Sequence, residues 1–255
     1  MQNTHGQTDR LFIARLEDMV RQCERSGFCV YSRFLDERQC AEAERWCRRN
    51  TGELLYALWG GYENARRKML VIYPDYAADQ YMESFPMKCL TFTFRTEDTL
   101  THRDFLGSFM GLMLKREVIG DIVVDKGVAQ VLVTDVAAGD ILSSVSKIGR
   151  VGVKVNDDRP FGLNTEQAFQ EIGGTAASLR LDCIVALAAN VSRENAARLI
   201  RSEKVDVNHF TVTSVSHELN EGDILSVRGS GRFIFAGSSG TTRSGRLHIQ
   251  LRKFI

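Results

Sequence analysis

The sequence lacks the segments that would insert the protein into a membrane or export it. No run of residues approaches the roughly 20 apolar positions that a membrane-spanning helix needs. The first ten residues, MQNTHGQTDR, have neither the charged nor the apolar region of a signal peptide. The chain also has no internal repeat and no low-complexity tract. We therefore expect a cytoplasmic protein without membrane insertion.

Metal-binding cysteine patterns are absent as well. No CxxC pair occurs, and Cys40 and Cys47 lie seven positions apart, which places them two turns from each other on one predicted helix. A reducing cytosol disfavours disulfide bonds. We expect neither a metal nor a cofactor, and we interpret all six cysteines as buried, inert thiols: Cys23, Cys29, Cys40, Cys47, Cys89 and Cys183.

Acidic residues are missing from the C-terminal part of the chain. No Asp or Glu follows Asp223, whereas six basic residues do: Arg228, Arg232, Arg243, Arg246, Arg252 and Lys253. A local excess of this kind is typical of a surface that binds a phosphate backbone. A basic sheet edge also discourages aggregation between strands. Because the formal net charge of the whole chain is only +1, both interpretations stay open on charge alone.

A length of 255 residues with 44% hydrophobic content fits two or three compact domains of a globular protein. The first predicted domain, residues 1–83, is a small α/β unit. Hydrophobic periodicity and capping residues predict its elements as follows: helices at Asp9–Ser26, ended by Gly27, and from the N-cap Asp36 through Arg49, and strands at Leu54–Leu58 and Met69–Tyr73.

The second predicted domain, residues 84–174, has the order strand, helix, strand, strand, helix, strand. Its predicted strands are Leu90–Phe94, Ile119–Val124, Val128–Thr134 and Arg150–Val155, and its helices are Thr101–Glu117 and Val136–Val145. This order indicates a ferredoxin-like βαββαβ fold, which RNA-recognition folds also use. The strand Val128–Thr134 lacks stacked aromatics, so we do not expect bases to stack on this sheet. A short helix, Glu166–Ile172, is predicted to connect this domain to the next.

Two basic clusters in these domains are candidates for secondary RNA contacts. Arg66 and Arg67 adjoin a Gly-Gly turn, and Lys115 and Arg116 close the long predicted helix. Each cluster also has a structural interpretation. Consecutive charges often form a solvated face, and cations are favoured at a helix C-terminus by the helix dipole.

The third predicted domain, residues 175–255, begins with two short helices. The first, Leu181–Ala189, stops at Asn190, and Ser192 caps the second. On the second helix Arg198 and Arg201 share the outer face with Glu194, because residues three and four apart lie on one side of a helix. Arg193 lies in the first turn, where exposed backbone amides favour a phosphate. A final strand is predicted at Arg246–Phe254.

This third domain is similar to the RNA-binding domain named after ribosomal small-subunit protein S-four. The motifs are RLD at 180–182, SRENAARLI at 192–200, KVDVN at 204–208, EGD at 221–223 and SVRGSGRF at 226–233. The resemblance implies an S-four-type αL domain with a C-terminal strand extension. Glu203, where the family usually has Gly, and Asp206 depart from the pattern. The expected RNA-binding residues are Arg180, Ser192, Arg193, Arg198, Arg201, Lys204, Asn208, Arg228, Arg232 and Arg246.

Nearly the whole chain resembles the bacterial YlmH family. The resemblance rests on FLDERQCAEAERW at 34–46, ALWGGYENARRKMLVIYP at 57–74 and THRDFLGSFMGLMLKREVIGDIVVDKGVAQVLV at 101–133, with LKREVIGDIVV as its most specific part. It implies a cytoplasmic, ribosome-associated protein in the quality control of stalled large subunits that carry peptidyl-tRNA. The expected partner is ribosomal RNA of the large subunit, with tRNA as a further candidate, and we expect a monomer. Genes of this family often neighbour cell-division genes.

Enzyme signatures are incomplete. The sequence His102-Arg103-Asp104 echoes a kinase catalytic loop, but Phe109 occupies the position of the metal-binding Asn, and no Gly-rich phosphate loop accompanies it. The turn Trp59-Gly60-Gly61 is too short for a cofactor loop. The sequence therefore predicts an α+β multidomain RNA-binding protein that is not an enzyme. An RNA-modifying enzyme with an S-four anchor and an adaptor linked to cell division are the alternatives.

Overall fold

A computed structural model describes residues 3–165 and 168–255, with side chains of the first helix from Arg10 onward. The chain forms a mixed α/β protein of two compact units, residues 1–165 and 166–255. The predicted boundary near residue 83 stays a prediction, and Phe34, Met69 and Leu132 pack in one buried cluster within the first unit. In the described ranges no helix is both long and apolar enough to cross a membrane.

The first unit begins with a three-stranded antiparallel sheet and two helices. Its elements are α1 (Asn3–Ser26), β1 (Val30–Leu35), α2 (Glu37–Asn50), β2 (Leu55–Trp59) and β3 (Lys68–Tyr73), with the strand order β1-β3-β2. Gly27 ends α1 at φ 69°, and its amide donates to the Cys23 carbonyl over 2.8 Å. Asp36 caps α2 by accepting from the Gln39 amide over 2.8 Å. The predicted C-terminal end of α1 and the predicted N-cap of α2 are thus confirmed.

Strand β1 is absent from the sequence-based prediction. Its pairing with β3 shifts register between Tyr31 and Phe34. A bulge of this kind interrupts the alternation of side chains that identifies a strand in a sequence. The polar pair Ser32-Arg33 lies inside the bulge, and Ser32 Oγ accepts from the Leu70 amide over 2.8 Å. The bulge thus keeps β1 bonded to β3 through a side chain.

The second half of the first unit is built on a four-stranded antiparallel sheet. Its elements are β4 (Met87–Thr93), α3 (His102–Gly111), β5 (Ile119–Asp125), β6 (Val128–Thr134), α4 (Asp135–Ser144), β7 (Lys147–Ile148), β8 (Val151–Gly152) and β9 (Lys154–Asn156). The strand order is β5-β6-β4-β9, and β7 pairs with β8 in a separate ribbon. Leu90, Phe92, Phe105 and Phe109 are fully buried in the core of this half.

In this half, the predicted bounds of one helix and one strand are wrong. The helix predicted at Thr101–Glu117 ends at Gly111. Met113 then adopts φ 59°, and the Leu114 amide donates to the Phe109 carbonyl over 3.2 Å, so Leu114 packs against the core. The strand predicted at Arg150–Val155 is divided into β8 and β9, because the Val153 amide donates to the Ser146 carbonyl over 2.9 Å.

The second unit consists of one six-stranded antiparallel sheet and two helices. Its elements are β10 (Phe169–Ala176), α5 (Leu181–Ala188), α6 (Arg193–Arg201), β11 (Val205–Val207), β12 (Phe210–Thr211), β13 (Ile224–Val227), β14 (Gly231–Thr241) and β15 (Leu247–Phe254), in the strand order β10-β15-β14-β13-β11-β12. Ile184 and Ile200 of the helices share a buried core with Phe233 and Leu251 of the sheet. Both helices therefore cover the same face of the sheet.

The connecting helix predicted at Glu166–Ile172 is wrong for Phe169–Ile172, which belong to β10; Glu166 and Gln167 lie outside the described residues. Strand β10 pairs with β15 along its full length, from Phe169 opposite Phe254 to Ala176 opposite Leu247. A Cβ on Gly174 would lie 2.3 Å from Leu187 Cδ1. The glycine therefore lets α5 approach the strand closely, a tertiary requirement that outweighs local propensity.

Candidate nucleic-acid interface

A buried carboxylate joins the two helices of the second unit. The side chain of Asp182 is only 6% exposed, and it accepts from Arg193 Nε over 2.9 Å and from Arg180 Nε over 3.2 Å. Burial alone would raise the pKa of Asp182, but the hydrogen bonds from Arg180 and Arg193 outweigh it and hold this pKa below its ordinary value. Asp182 is thus an ionised clamp that fixes two arginines at the start of α5 and α6.

Helix α6 presents cations to solvent. Ser192 Oγ accepts from the Asn195 amide over 3.2 Å and caps the helix, as predicted. Ala196 and Ile200 are buried against the core. Arg198 is 74% exposed and lies 3.7 Å from Glu194, and a pair this exposed contributes little attraction in water. The guanidinium groups of the outer face are therefore available to an anionic partner.

The chain leaves α6 through a tight turn that aligns two further basic residues. Glu203 adopts φ 57°, and the Lys204 amide donates to the Leu199 carbonyl over 3.1 Å. The Lys204 carbonyl in turn accepts from the Arg228 amide over 2.9 Å, so these two exposed residues are neighbours. We use the term cationic face for the resulting set: Arg193, Arg198, Arg201, Lys204 and Arg228.

The turn at Glu203 explains why glycine suits this position. A residue with a side chain in the left-handed region costs roughly 1–2 kcal/mol, which glycine avoids. We expect Glu203→Gly to raise the free energy of unfolding by up to about 1 kcal/mol, since the greater freedom of glycine in the unfolded chain offsets part of the gain. RNA affinity should rise severalfold, because a carboxylate beside Lys204 is removed.

Two further variants separate the effects of strain and charge. Glu203→Gln removes the charge and keeps the side chain, so RNA affinity should rise without a gain in stability. Glu203→Asn, a residue that tolerates this conformation, should improve both. Urea denaturation and RNA titration measure the two quantities. A Glu203→Gly protein that is less stable than the parent would contradict the assignment of strain.

Asn208 has a structural part in the second unit. It adopts φ 48°, its Nδ2 donates to Asp223 Oδ1 over 2.8 Å, and its Oδ1 accepts from the Ile224 amide over 2.9 Å. Asp223 Oδ2 also accepts from the Asn220 amide over 2.8 Å. The turn at the EGD motif, residues 221–223, is therefore held by hydrogen bonds to Asn208, whose contact with RNA stays a prediction.

Arg232 and Arg246, two of the expected RNA-binding residues, do not belong to the cationic face. Phe233 is fully buried beneath the helices, and neighbouring side chains in a strand point to opposite faces. Arg232 therefore lies on the other side of the sheet, with its guanidinium carbon 4.9 Å from the Phe254 ring centroid. Arg246 Nη2 donates to the Thr175 carbonyl over 2.8 Å on β10. Their RNA contacts stay predictions.

The secondary candidates in the first unit divide into two half-buried residues, Arg67 and Arg116, and two exposed ones. Arg67 donates to the carbonyls of Ile119, Phe34 and Arg116 over 2.9, 3.1 and 3.2 Å. Arg116 donates to the Ile119 carbonyl over 2.6 Å. Burial lowers the pKa of both side chains, that of Arg116 to about 10 with a contribution from the nearby charge of Arg67.

Two other members of these clusters, Arg66 and Lys115, are exposed. The backbone amides of Arg66 and Arg67 donate to Asp121 over 2.7 and 3.1 Å. Lys115 precedes the 3₁₀ turn Arg116–Val118 rather than closing a helix. These two side chains are the better placed of the four for a contact with RNA.

The cysteines are free thiols. Cys23, Cys47 and Cys183 are buried, whereas Cys29, Cys40 and Cys89 are partly exposed, so full burial is confirmed for three of the six. Burial raises the pKa of Cys40, Cys47 and Cys89 to about 11, which keeps these thiols protonated at neutral pH. Within residues 3–165 and 168–255, no three His, Cys, Asp or Glu side chains are grouped closely enough to hold a metal ion.

The role of Asp182 is the feature of this site that the sequence did not indicate. Its motif, Arg180-Leu181-Asp182, is part of the S-four resemblance, which makes Arg180 an expected RNA contact and gives Asp182 no role. The partner Arg193 is eleven positions away on another helix, a separation that no local periodicity reveals. A conserved charge at the start of each helix is a signal that only an alignment could supply.

Known proteins match this chain over most of its length. Residues 83–160 match the family described as “Putative RNA-binding domain in YlmH”. Over 201 residues the chain is 30% identical to the “Ribosome-associated protein quality control protein P2” of Bacillus subtilis (strain 168), and the match covers 77% of each protein. The fold is similar to the solved structure “Cell division protein ylmH from Streptococcus pneumoniae”, with a TM-score of 0.53 and 21% identity, covering 60% of this chain and 92% of that one. At this identity the structural likeness supports the fold alone.

Proposed function

The chain belongs to the YlmH family, and from this premise we propose that it is a non-catalytic RNA-binding protein that docks on ribosomal RNA of the large subunit during quality control of stalled ribosomes. The name of the Bacillus subtilis relative supports a ribosome-associated role in quality control. The match at residues 83–160 supports RNA as the ligand. A ferredoxin-like middle domain and a C-terminal S-four-type domain are part of this proposal.

The cationic face is the observation that carries the proposal. Arg193 is held by Asp182 at the N-terminus of α6 and is still 55% exposed, and Arg198 is 74% exposed. Arginine forks suit phosphate oxygens. Double-stranded RNA is recognised mainly by shape and by its phosphates and 2′-hydroxyls, because its deep major groove excludes side chains. A rigid row of cations on a helix and an adjoining turn is suited to that mode of binding.

Crosslinking followed by RNA sequencing tests this assignment. Protein irradiated with large ribosomal subunits should yield a discrete crosslinked segment of large-subunit ribosomal RNA, and tRNA as well if it is contacted. The Arg198→Ala/Arg201→Ala variant should lose most of that signal. A matched control, Arg21→Ala/Arg48→Ala, removes the same charge from exposed helical arginines that also face carboxylates. Crosslinks that are equal in both variants would contradict the cationic face as the contact.

A catalytic role has a direct assay. RNA that has been incubated with the protein should contain no altered nucleosides by mass spectrometry, since we propose a binder. Modified nucleosides that depend on the protein would support an RNA-modifying enzyme instead.

A further inference from the structure

A groove of about 740 Å³ lies in the first unit between α1, β1 and the 3₁₀ turn Arg116–Val118. One wall is apolar and comes from α1: Met19 is half-buried, and Phe12 and Leu16 are buried in the core. A second, cationic wall comes from outside α1 and contains Arg33, Arg67, Lys115 and Arg116. Five basic side chains line the groove, against three carboxylates, Asp18, Asp36 and Glu117; the basic residues are Arg15, Arg33, Arg67, Lys115 and Arg116.

Two guanidinium groups of the cationic wall are fixed in place. Arg67 and Arg116 donate to backbone carbonyls at 2.6–3.2 Å. Carbonyl oxygens carry only partial charge, so these bonds orient the guanidinium groups without neutralising them. Among the described residues, no carboxylate forms an ion pair with either arginine. An anion that enters the groove would meet cations that are already ordered.

The carboxylates of the groove are engaged elsewhere. Asp36 Oδ1 accepts from the Gln39 amide over 2.8 Å in the cap of α2, and Glu117 is paired with Arg33. The negative charges of Asp36 and Asp121 raise the pKa of Arg67 and of Arg116, which opposes the effect of burial. Burial, and to a smaller extent the nearby charge of Arg67, nevertheless lower the pKa of Arg116.

We propose that this groove binds a phosphorylated nucleotide, with its phosphate against Arg67, Lys115 and Arg116 and its base or sugar against the apolar wall of α1 at Met19. The volume lies within the range of about 300–1,000 Å³ that small-molecule sites occupy. Eight of the sixteen described residues that line the groove are charged, so it is more polar than most small-molecule sites and suits a charged ligand. A free nucleotide and the terminal nucleotide of an RNA chain present the same chemistry. The site lies in the first unit and does not depend on the cationic face.

Calorimetric titration of the full chain tests the groove. The probes are adenosine 5′-monophosphate, a 5′-phosphorylated RNA trinucleotide, and adenosine as a control without phosphate. We expect at least one phosphorylated probe to bind with a stoichiometry of one and with an affinity that falls as salt increases. Adenosine should bind far more weakly. Equal affinity for the two phosphorylated probes identifies a free nucleotide as sufficient, whereas a strong preference for the trinucleotide identifies an RNA end.

A pair of lysine variants makes the test specific. Lys115→Glu should lower the affinity for the phosphorylated probe by roughly tenfold or more, because it reverses a charge in the groove. Lys126→Glu, an equally exposed lysine in the turn between β5 and β6, should leave affinity unchanged. The Arg198→Ala/Arg201→Ala protein should bind adenosine 5′-monophosphate with the affinity of the parent, which separates this site from the proposed RNA face. Absence of saturable binding, or equal affinity in Lys115→Glu and the parent, would overturn the proposal.

Discussion

Replacement of Asp182 by alanine is expected to destabilise the second unit by about 2 kcal/mol and to weaken RNA binding at the same time. The carboxylate is buried and accepts hydrogen bonds from Arg180 and Arg193, and a hydrogen bond to a charged group contributes about 1.5–3 kcal/mol. The partial exposure of both arginines, 35% and 55%, keeps the loss toward the lower end, because water screens and solvates them. Chemical denaturation and RNA titration of the same protein measure both effects.

Asp206→Ala is the matched control for this variant. Asp206 is a half-buried aspartate of β11, in the same unit as Asp182, and it accepts from Thr211 Oγ1 over 2.8 Å. Its removal should cost less than about 1 kcal/mol and should leave RNA affinity unchanged or slightly higher, since a negative charge disappears. If Asp182→Ala and Asp206→Ala were equally stable, the hydrogen bonds of Asp182 with Arg180 and Arg193 would make no special contribution to the free energy of unfolding.

The clamp also predicts a pH dependence. The hydrogen bonds from Arg180 and Arg193 place the pKa of Asp182 in the folded protein below its ordinary value. A depressed carboxyl pKa contributes stability that is fully present above the pKa of the unfolded chain, near pH 4, and is lost as pH falls through the folded value. The stability difference between the parent and Asp182→Ala should therefore be constant from neutral pH to about pH 5 and shrink below about pH 4.

Charge reversal on α6 is expected to have the largest effect on binding. Arg198→Glu/Arg201→Glu places two carboxylates where the account requires contacts with phosphate, and affinity for large subunits should fall by at least about a hundredfold at low salt. The fold should be unaffected because both side chains are exposed. Arg21→Glu/Arg48→Glu, on α1 and α2 of the first unit, is the matched reversal. Equal losses in the two double variants would indicate a nonspecific charge effect.

Capping and periodicity predicted the elements that are determined by residues close together in the sequence. Gly27, the cap at Asp36 and the amphipathic α6 follow from residues within a few positions of one another, and the structure contains each of them. The prediction was wrong where residues far away in the sequence determine the secondary structure. Phe169–Ala176 is a strand because β15, some 80 positions later, supplies its hydrogen-bond partners.

The candidate site shows the same division. The outer face of α6 could be predicted because residues three and four apart share a side of a helix. The contact of Arg193 with Asp182, the proximity of Lys204 and Arg228, and the position of Arg232 on the opposite side of the sheet all depend on packing between elements. The groove beside α1 depends on a turn that sequence periodicity assigned to a helix, so its cationic wall was not apparent as a single site.

The salt dependence of binding to purified large ribosomal subunits tests the central claim most directly. The parent protein should show an observed affinity that falls linearly with salt on a double-logarithmic scale, because contacts with phosphate release counterions. The Arg198→Ala/Arg201→Ala variant should bind more weakly and with a slope shallower by about 1.4–1.8, since each of the two lost phosphate contacts removes about 0.7–0.9. The Arg21→Ala/Arg48→Ala control should retain the slope of the parent. An affinity that does not depend on salt, or a slope identical in both double variants, would contradict the assignment of α6 as the RNA-binding face.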